Sequence, residues 1–216
     1  MNKKLFTLFI LSLSLMSACG GSGGGGSNGK SSSGQAAISE LRAQGSYRAI
    51  LRPFNNHLSG FLPSGFAEIS IVGDNVSFKT MLDDDARVIH MQSVHTGTRC
   101  PNANDDTNGD SYVDINEAHA VVGKVLIPLD SDLNNHAKGA GFYPMGGGYT
   151  YVEAASLKNL ESVIKAQTGE KLNLAGRVVL IHGVDASTML PPTFGTIEGM
   201  PQVASAPIAC GVIFRK

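Results

Sequence analysis

The chain has 216 residues, with 17 lysines and arginines against 18 aspartates and glutamates, so its formal net charge is −1. Charged residues make up 16% and aromatic residues 6% of the sequence, and no basic stretch is interleaved with aromatic side chains. This balance excludes the basic surface of a typical nucleic-acid-binding protein, so no nucleic acid partner is expected. Beyond the first residues, no apolar run is long enough to cross a bilayer as a helix.

The first residues carry an export signal. The sequence begins MNKKLFTLFILSLSLMSAC, a short basic segment followed by an apolar run over residues 5–16. The run is too short to span a bilayer, and the pattern is typical of a secretory signal peptide over residues 1–18. Its end, LMSAC, resembles the lipobox of bacterial lipoproteins, in which the cysteine is lipidated and becomes the new N-terminus. The resemblance implies a lipid anchor on Cys19 that holds the protein on a membrane; the alternative is an ordinary signal peptide with an incidental cysteine.

A flexible tether is expected between the anchor and the folded domain. Residues 20–34 read GGSGGGGSNGKSSSG and cannot bury apolar area, so residues 19–35 are predicted to be the lipidated cysteine and its linker. Residues 36–216 then have the length of a single domain. By resemblance to lipoproteins, the protein is expected in the bacterial cell envelope, and Gly20 after the cysteine favours the outer membrane. The sequence does not decide between the periplasmic and the surface-exposed leaflet of that membrane.

Two cysteines remain if Cys19 carries a lipid, namely Cys100 and Cys210. Exported proteins commonly oxidise such a pair, so a disulfide between them is predicted, with two separate buried thiols as the alternative. The bond would close a loop of about 110 residues and contribute about 4–5 kcal/mol on a chain-entropy estimate.

Short alternating apolar segments separated by glycine and proline run through the rest of the chain and predict strands. The segments are 46–54, a hairpin over 66–82 around Gly73-Asp74-Asn75, 86–95, 124–130, 149–155, 177–184 and 208–213. One helix is predicted between Ser156, a candidate N-cap, and Gly169, a candidate stop. Many short strands with one helix indicate a mostly β fold, an antiparallel sandwich or barrel.

The segment DTNGDSYVDINE, residues 106–117, predicts a calcium site. Calcium prefers six to eight oxygen ligands, and oxygen-bearing groups recur along this segment at regular spacing. The candidate ligands are Asp106, Asn108, Asp110, the backbone carbonyl of Tyr112, Asp114 and Glu117. The segment closely resembles an EF-hand loop. A solvated acidic loop is the alternative.

Two departures from the EF-hand pattern set the kind of site that is expected. Ser111 stands at position six, where the family strongly prefers glycine because the chain turns sharply there. No entering helix is predicted, since the sequence around Pro101 cannot continue one, whereas residues 115–122 could form a short exit helix. The loop is therefore expected to be an EF-type insertion between strands with a structural role, because a sensor needs a pair of helices that opens.

The end of the chain carries a second resemblance. GRVVLIHGVD at 176–185 and IACGVI at 208–213 resemble the last strands of copper/zinc superoxide dismutases. The resemblance implies a Greek-key β-sandwich in which His182 matches a copper ligand and Cys210 is bonded to a cysteine after the first copper strand, a place that Cys100 fits. VIHMQSVH would fill that first strand. The candidate ligands for copper or zinc are His90, His95 and His182, while His119 and His136 lie in the intervening region without clear counterparts.

Several departures from the dismutase pattern bear on activity. Gln92 stands where the family has a second histidine, and Pro207 stands where it has an anion-guiding arginine. No catalytic residue is predicted. The sequence therefore favours a non-enzymatic, calcium-binding envelope lipoprotein that binds an unknown protein or surface ligand, and the alternative is a diverged dismutase-like, metal-dependent oxidoreductase. A third interpretation is a calcium-dependent adhesion or polysaccharide-binding module that uses the tyrosines at 143, 149 and 151 for stacking.

Overall fold

Strands form most of the regular backbone in the computed structural model, which describes residues 44–56, 62–135 and 141–216. The predicted signal peptide, Cys19, the tether and His136 lie outside the described residues. Eight strands are found in the described ranges: β1 (Gly45–Pro53), β2 (Ser64–Val72), β3 (Asn75–Asp83), β4 (Gln92–His95), β5 (Val125–Pro128), β6 (Tyr149–Ser156), β7 (Val178–His182) and β8 (Pro207–Arg215).

The strands form a curled sheet in the order β5-β4-β7-β8-β1-β2-β3-β6, with antiparallel neighbours throughout. The predicted mostly β, antiparallel fold is therefore confirmed. Non-consecutive neighbours, such as β3 with β6 and β4 with β7, show that the chain crosses over between strand pairs. The Greek-key connection stays a prediction.

Helices are short and lie outside the sheet. They are a 3₁₀ turn (Ala103–Asp105), α1 (Ile115–Val122), α2 (Leu157–Thr168) and α3 (Gln202–Ser205). The predicted helix after Ser156 is confirmed, because the Ser156 hydroxyl accepts the Asn159 N–H and Gly169 ends α2 with a φ of 75°. Among the helices of the described residues, none has the length and apolar character needed to cross a membrane.

The main core lies on the inner face of the curled sheet. Alternate residues of β1, β2 and β3 point into it, as the strand periodicity predicts, and Phe78, Leu51 and Ile69 are among its fully buried side chains.

Tyr149 and Tyr151 of β6 reach across this core. The Tyr149 hydroxyl donates to Gln92 Oε1 at 3.1 Å, and the Tyr151 hydroxyl donates to the Asp130 carbonyl at 2.8 Å. These two tyrosines therefore pack inside the fold and do not form an exposed stacking surface.

The strands β4 and β7 are buried on both faces, since every residue of each is buried. Their inner face joins the main core, and their outer face is covered by α1. The outer cluster comprises Val113, Ala118, Val122, Val178, Leu180 and Cys210. Burial on both faces explains why 177–184 is an almost continuous apolar run instead of an alternating one.

The predicted strand at 86–95 is too long, because only Gln92–His95 pairs as a regular strand. The preceding residues make an isolated bridge between Ile89 and Met145, and the His90 N–H donates to the Pro144 carbonyl. A segment becomes a regular strand only if another strand lies beside it. These residues contact the 141–148 loop instead.

The predicted disulfide between Cys100 and Cys210 is confirmed, with an S–S distance of 2.04 Å. It connects β8 to the segment that leads into the acidic loop. Together with α1, it fixes both ends of that loop to the outer face of β7 and β8.

Candidate metal sites in the acidic loop and the histidine group

The acidic loop, residues 106–117, is folded by its own side-chain oxygens. Asp106 accepts the N–H groups of Gly109 and Ser111, each at 2.8 Å. Asn108 and Asp110 each accept the N–H of the second residue after them, at 2.9 and 3.0 Å. These turns wrap the chain around the side chains that were predicted as ligands, with Asp106 at the centre of the first half of the loop.

Position six of the loop adopts the backbone conformation that the EF-hand resemblance implies. Ser111 has a φ of 75°, in the left-handed region that costs a non-glycine residue about 1–2 kcal/mol. Gly109 has the same φ without that cost. The chain therefore makes the sharp turn that glycine makes in the family, although the residue here is serine.

The Glu117 carboxylate closes the loop from its last position. Its Oε1 accepts the Thr107 N–H at 2.6 Å, the Thr107 hydroxyl at 2.8 Å and the Asn108 N–H at 3.1 Å, while Oε2 accepts the Asp114 N–H at 2.9 Å. Burial alone would raise the pKa of Glu117, but these hydrogen bonds outweigh it and hold the pKa below its usual value. Glu117 thus joins the two halves of the loop as a carboxylate.

Asp114 is both a loop residue and the N-cap of α1. Its Oδ1 accepts the N–H groups of Asn116 and Glu117, and Glu117 caps the Asp114 N–H in return, which is a capping box. Its Oδ2 accepts the N–H of Gly195 at 2.8 Å. A Cβ on Gly195 would lie 2.8 Å from that oxygen and 2.3 Å from Asn116 Nδ2, so only glycine fits this approach.

Two contacts that the sequence analysis missed hold the acidic loop to the rest of the fold. The Thr193 hydroxyl donates to Asp110 Oδ2 at 2.6 Å. On the other side, the Asn55 amide donates to the carbonyls of Val113 and Pro207 at 2.9 and 3.0 Å, and Asn55 Oδ1 accepts the Val113 N–H at 2.9 Å. No spacing in the sequence connects these residues to the loop, because they lie 58 or more positions from their partners.

The donor set of the loop fits a hard cation such as calcium in its chemistry. A carboxylate oxygen has two lone-pair sites, so the oxygens of Asp106 and Asp110 that accept one hydrogen bond can each bind an ion as well. Glu117 Oε1 differs, because three hydrogen bonds already converge on it. For Glu117 to hold calcium with both oxygens, its carboxylate must exchange these donors for the ion.

Two histidine rings lie together between α1 and the outer side of β4. The rings of His95 and His119 are 5.3 Å apart between centroids. His95 Nδ1 donates to the Gly123 carbonyl at 3.1 Å, and His95 Nε2 accepts the Ser93 hydroxyl at 2.8 Å, which is the pattern of a neutral ring. Burial lowers the pKa of His95 to about 4 and also lowers the pKa of His119.

The histidine group denotes His95, His119 and His182, of which His182 lies four residues along β7 from Val178, the residue that pairs with His95. His182 is 2% exposed, and neither ring nitrogen has a hydrogen-bond partner. Burial holds its pKa well below the usual value, and the nearby His95 and His119 lower it further. A buried imidazole with two unpaired nitrogens is uncommon, since most buried polar groups are hydrogen-bonded.

His90 is placed differently from the histidine group. Its Nδ1 faces the His182 carbonyl at 3.0 Å, and its Nε2 faces the Ala86 carbonyl at 3.2 Å and Asp84 Oδ2 at 3.6 Å. Burial raises the pKa of Asp84, an effect that His90 partly offsets. The structure therefore places His95 beside His119, sets His182 four residues along β7 from the partner of His95, and engages both nitrogens of His90 elsewhere.

Comparison with known proteins adds no assignment. No protein-family model matches the chain, and no curated protein matches it. Over the described ranges 44–56, 62–135 and 141–216, no group of three or more His, Cys, Asp or Glu side chains is arranged to hold a metal ion as it stands. His119 could have been found from the sequence as the residue two positions after Glu117 in the predicted exit helix.

Proposed function

We propose that this protein is a calcium-stabilised lipoprotein module of the bacterial cell envelope, without catalytic residues, that presents its β domain to a protein or surface ligand. The observation that supports calcium is the backbone of the acidic loop. Ser111 takes a left-handed conformation at position six, and Asp106 receives two N–H groups around that turn. Calcium bound to the oxygens around this turn would offset the cost of the serine conformation.

The calcium assignment is tested on the whole chain in detergent by calorimetry and thermal unfolding. Calcium is expected to bind once per chain with a Kd of about 0.1–1 mM, the range of extracellular modules, and to raise the melting temperature. Glu117→Gln should weaken both effects. Glu170→Gln is the matched control, since it removes one negative charge from a surface ion pair outside the loop. An equal calcium response in the wild type and Glu117→Gln would remove the assignment.

The envelope assignment rests on the sequence of residues 1–34, where a short apolar run ends at Cys19 and a glycine- and serine-rich tether follows. In a bacterial host, the wild-type chain is expected in the membrane fraction after export. Cys19→Ala should release it into the soluble fraction. A Cys19→Ala variant that still sediments with membranes would show that another part of the chain holds it there.

The second candidate function is a transition-metal site in a dismutase-like oxidoreductase. The observation that favours it is His182, whose two buried ring nitrogens have no hydrogen-bond partner. Neutral imidazoles are good ligands for copper and zinc. Here His95 would have to release the Ser93 hydroxyl to offer Nε2 to a metal.

Elemental analysis separates the two candidates when the protein is purified without chelator, dialysed against 5 mM calcium with low copper and zinc, and compared with the dialysate. Calcium near one per chain with negligible copper and zinc supports the calcium module alone. Stoichiometric copper or zinc that is lost in His182→Ala supports the second candidate and leads to an assay of superoxide dismutation. Copper or zinc that persists in His182→Ala would place the metal away from the histidine group.

A further inference from the structure

The outer face of the curled sheet exposes a row of apolar side chains on neighbouring strands. Inward residues of β1, β2 and β3 alternate with outward ones, and the strand register places Ile50, Phe66 and Met81 side by side on the outside. Val212 and Phe214 of β8 point to the same side, next to β1. The exposed fractions of Ile50, Met81, Val212 and Phe214 lie between 37% and 48%. These side chains therefore form an apolar surface that faces solvent.

A second row of outward side chains adds charge to this surface. The register sets Arg48, Glu68 and Lys79 side by side on β1, β2 and β3, and the row ends at Val152 of β6. The Arg48 guanidinium lies 4.3 Å from the centre of the Phe66 ring, and Lys79 Nζ lies 6.0 Å from it. The aromatic ring in the middle of the face is therefore bordered by two cations.

The charge of this face differs in sign from that of the whole sequence, whose formal net charge is −1. Basic side chains outnumber acidic ones on it: the basic ones are Arg48, Arg52, Lys79 and Lys216, and the acidic ones are Glu68 and Asp83. Glu68 is already bound by two of the cations, since it accepts a hydrogen bond from Lys216 and lies 3.7 Å from Arg48. The outer face is therefore both apolar and positively charged.

An anionic membrane surface fits this combination of groups. Lipid phosphates attract lysine and arginine side chains that come close to the surface, while apolar side chains enter the boundary between headgroups and acyl chains. The long stems of Arg52 and Lys79 let their charged ends reach the phosphates while Phe214 is inserted. A soluble acidic protein would satisfy the same charges, but the lipid anchor inferred above would hold only a membrane beside this face.

The N-terminal chain keeps this face near the membrane if Cys19 carries a lipid. Gln44 lies directly before β1, and its carbonyl accepts a hydrogen bond from Arg215 at 2.9 Å, so the chain enters the domain at one end of the outer face. About 25 residues separate Cys19 from Gln44, and a coil of this length spans about 25–30 Å on average. Such a link gives a millimolar effective concentration, so a weak affinity for the membrane is sufficient for docking.

We propose that the outer face of β8, β1, β2 and β3 docks on the anionic lipid surface of the membrane that holds the anchor. This inference rests on the lipid anchor of the proposed function. An anchor alone lets the domain rotate above the membrane, whereas docking determines which side of the domain the membrane covers.

Methionine methyl NMR of the intact lipidated chain in nanodiscs tests the docking. The bilayer contains a lipid that carries a chelated gadolinium ion, which broadens the signals of nearby methyl groups. Met81 reports on the outer face, and Met189, which is 93% exposed in the segment after β7, serves as the reference. In bilayers of half phosphatidylglycerol and half phosphatidylcholine, we expect several-fold stronger broadening of Met81 than of Met189. In phosphatidylcholine alone, or in high salt, this excess should disappear.

Paired charge variants assign the excess broadening to the basic residues of this face. Arg52→Gln combined with Lys79→Gln should remove most of it, because each basic residue near an anionic surface contributes about a fivefold factor in affinity. The matched control is Lys165→Gln combined with Lys171→Gln, at exposed positions on and after α2, and it should keep the excess.

A pair of phenylalanine variants tests the apolar contribution. Phe214→Ser should reduce the excess broadening of Met81, whereas Phe142→Ser, at an 86% exposed loop position, should leave it unchanged. Equal effects of the two changes would contradict insertion of the outer face.

Three further outcomes would overturn the proposal. Equal broadening of Met81 and Met189 in both bilayers, with the protein retained in the nanodiscs, would leave the anchor standing and favour an acidic protein as the occupant of this face. An excess for Met81 in neutral bilayers as well would contradict the selection of anionic lipid. A chain that the nanodiscs do not retain would overturn the anchor and the docking with it.

Discussion

Asn55 and Val113 exchange two hydrogen bonds, one in each direction. Asn55 Nδ2 donates to the Val113 carbonyl and the Val113 N–H donates to Asn55 Oδ1, both at 2.9 Å. A side-chain amide has the same donor and acceptor as a peptide group, so Asn55 substitutes for a neighbouring strand at the eighth position of the acidic loop. Because its Nδ2 also donates to the Pro207 carbonyl, one residue joins the ends of β1, β8 and the loop.

Replacing Asn55 should therefore loosen the loop. Asn55→Gly removes the three hydrogen bonds, while glycine tolerates the φ of 56° at this position. We expect the free energy of unfolding to fall by about 2–3 kcal/mol, because the backbone groups of the buried Val113 lose their partners. Asn55→Ala should lose about 1 kcal/mol more, the cost of a left-handed conformation. Urea unfolding measures both. The exposed neighbour Asn56 provides the control in Asn56→Ala, which should stay within about 0.5 kcal/mol of the wild type. Equal stabilities for Asn55→Gly and the wild type would contradict the joining role.

Ser111 and Gly109 form a matched pair for the backbone of the loop, since both have a φ of 75°. Ser111→Gly should relieve strain and raise the free energy of unfolding by about 1 kcal/mol, after the greater flexibility of glycine in the unfolded chain is allowed for. Gly109→Ser should have the opposite effect by about 1–2 kcal/mol. Both are measured by urea unfolding in calcium-free buffer. If Ser111→Gly lowers stability, the serine side chain contributes more than its conformation costs.

The histidine group should make the domain sensitive to mild acid. In the folded state the pKa of His95 is lowered to about 4, whereas in the unfolded chain it returns to about 6.5. The unfolded state therefore binds more protons below pH 6.5, and stability falls as the pH is lowered from there towards 4. His95 alone should remove about 2 kcal/mol between pH 7.5 and pH 5, and His182, whose pKa is lowered in the same direction, adds to this loss.

Urea unfolding at several pH values, with NMR titration of the histidine ring protons, measures this effect. In His95→Gln, part of the loss between pH 7.5 and pH 5 should disappear, whatever the stability of that variant at pH 7.5. A folded-state titration of His95 near pH 6.5 would contradict the prediction, because an unshifted histidine contributes no such pH dependence.

The disulfide should be a main source of stability. It joins residues 110 positions apart, and on a chain-entropy estimate a loop of this length contributes about 4–5 kcal/mol. Reduction, or the pair of changes Cys100→Ser and Cys210→Ser, should lower the free energy of unfolding by a comparable amount. The reduced wild type and the double variant should behave alike. A double variant as stable as the oxidised wild type would show that packing around β8 holds this region without the bond.

The strands and α2 could be predicted from the sequence because their signals are local. Alternating apolar residues mark β2 and β3, and Ser156 and Gly169 mark the two ends of α2. The overlong strand prediction at 86–95 shows the limit of such signals. The segment before Gln92 contains several apolar residues, but only an isolated bridge at Ile89 pairs it with another part of the chain.

The candidate site was harder to predict because its supports are distant polar residues. The sequence gives the spacing of the acidic side chains, but Asn55, Thr193 and Gly195 reach the loop across 58, 83 and 81 positions. Single polar residues in connecting segments have no periodicity that could indicate such contacts. The contact between His119 and His95 is also non-local, since the packing of α1 brings the two rings together.

The double-sided burial of β4 and β7 has a consequence for the native-state fluctuations of the domain. Amide hydrogens exchange with solvent when a segment opens, and segments that are covered on both faces open last. The amides of Val178–His182 should therefore exchange at the rate of complete unfolding, while those of the exposed half of the acidic loop exchange through small local openings. The framework that carries His95 and His182 would then be the most persistent part of the molecule, and the loop beside it the part most free to respond to its surroundings.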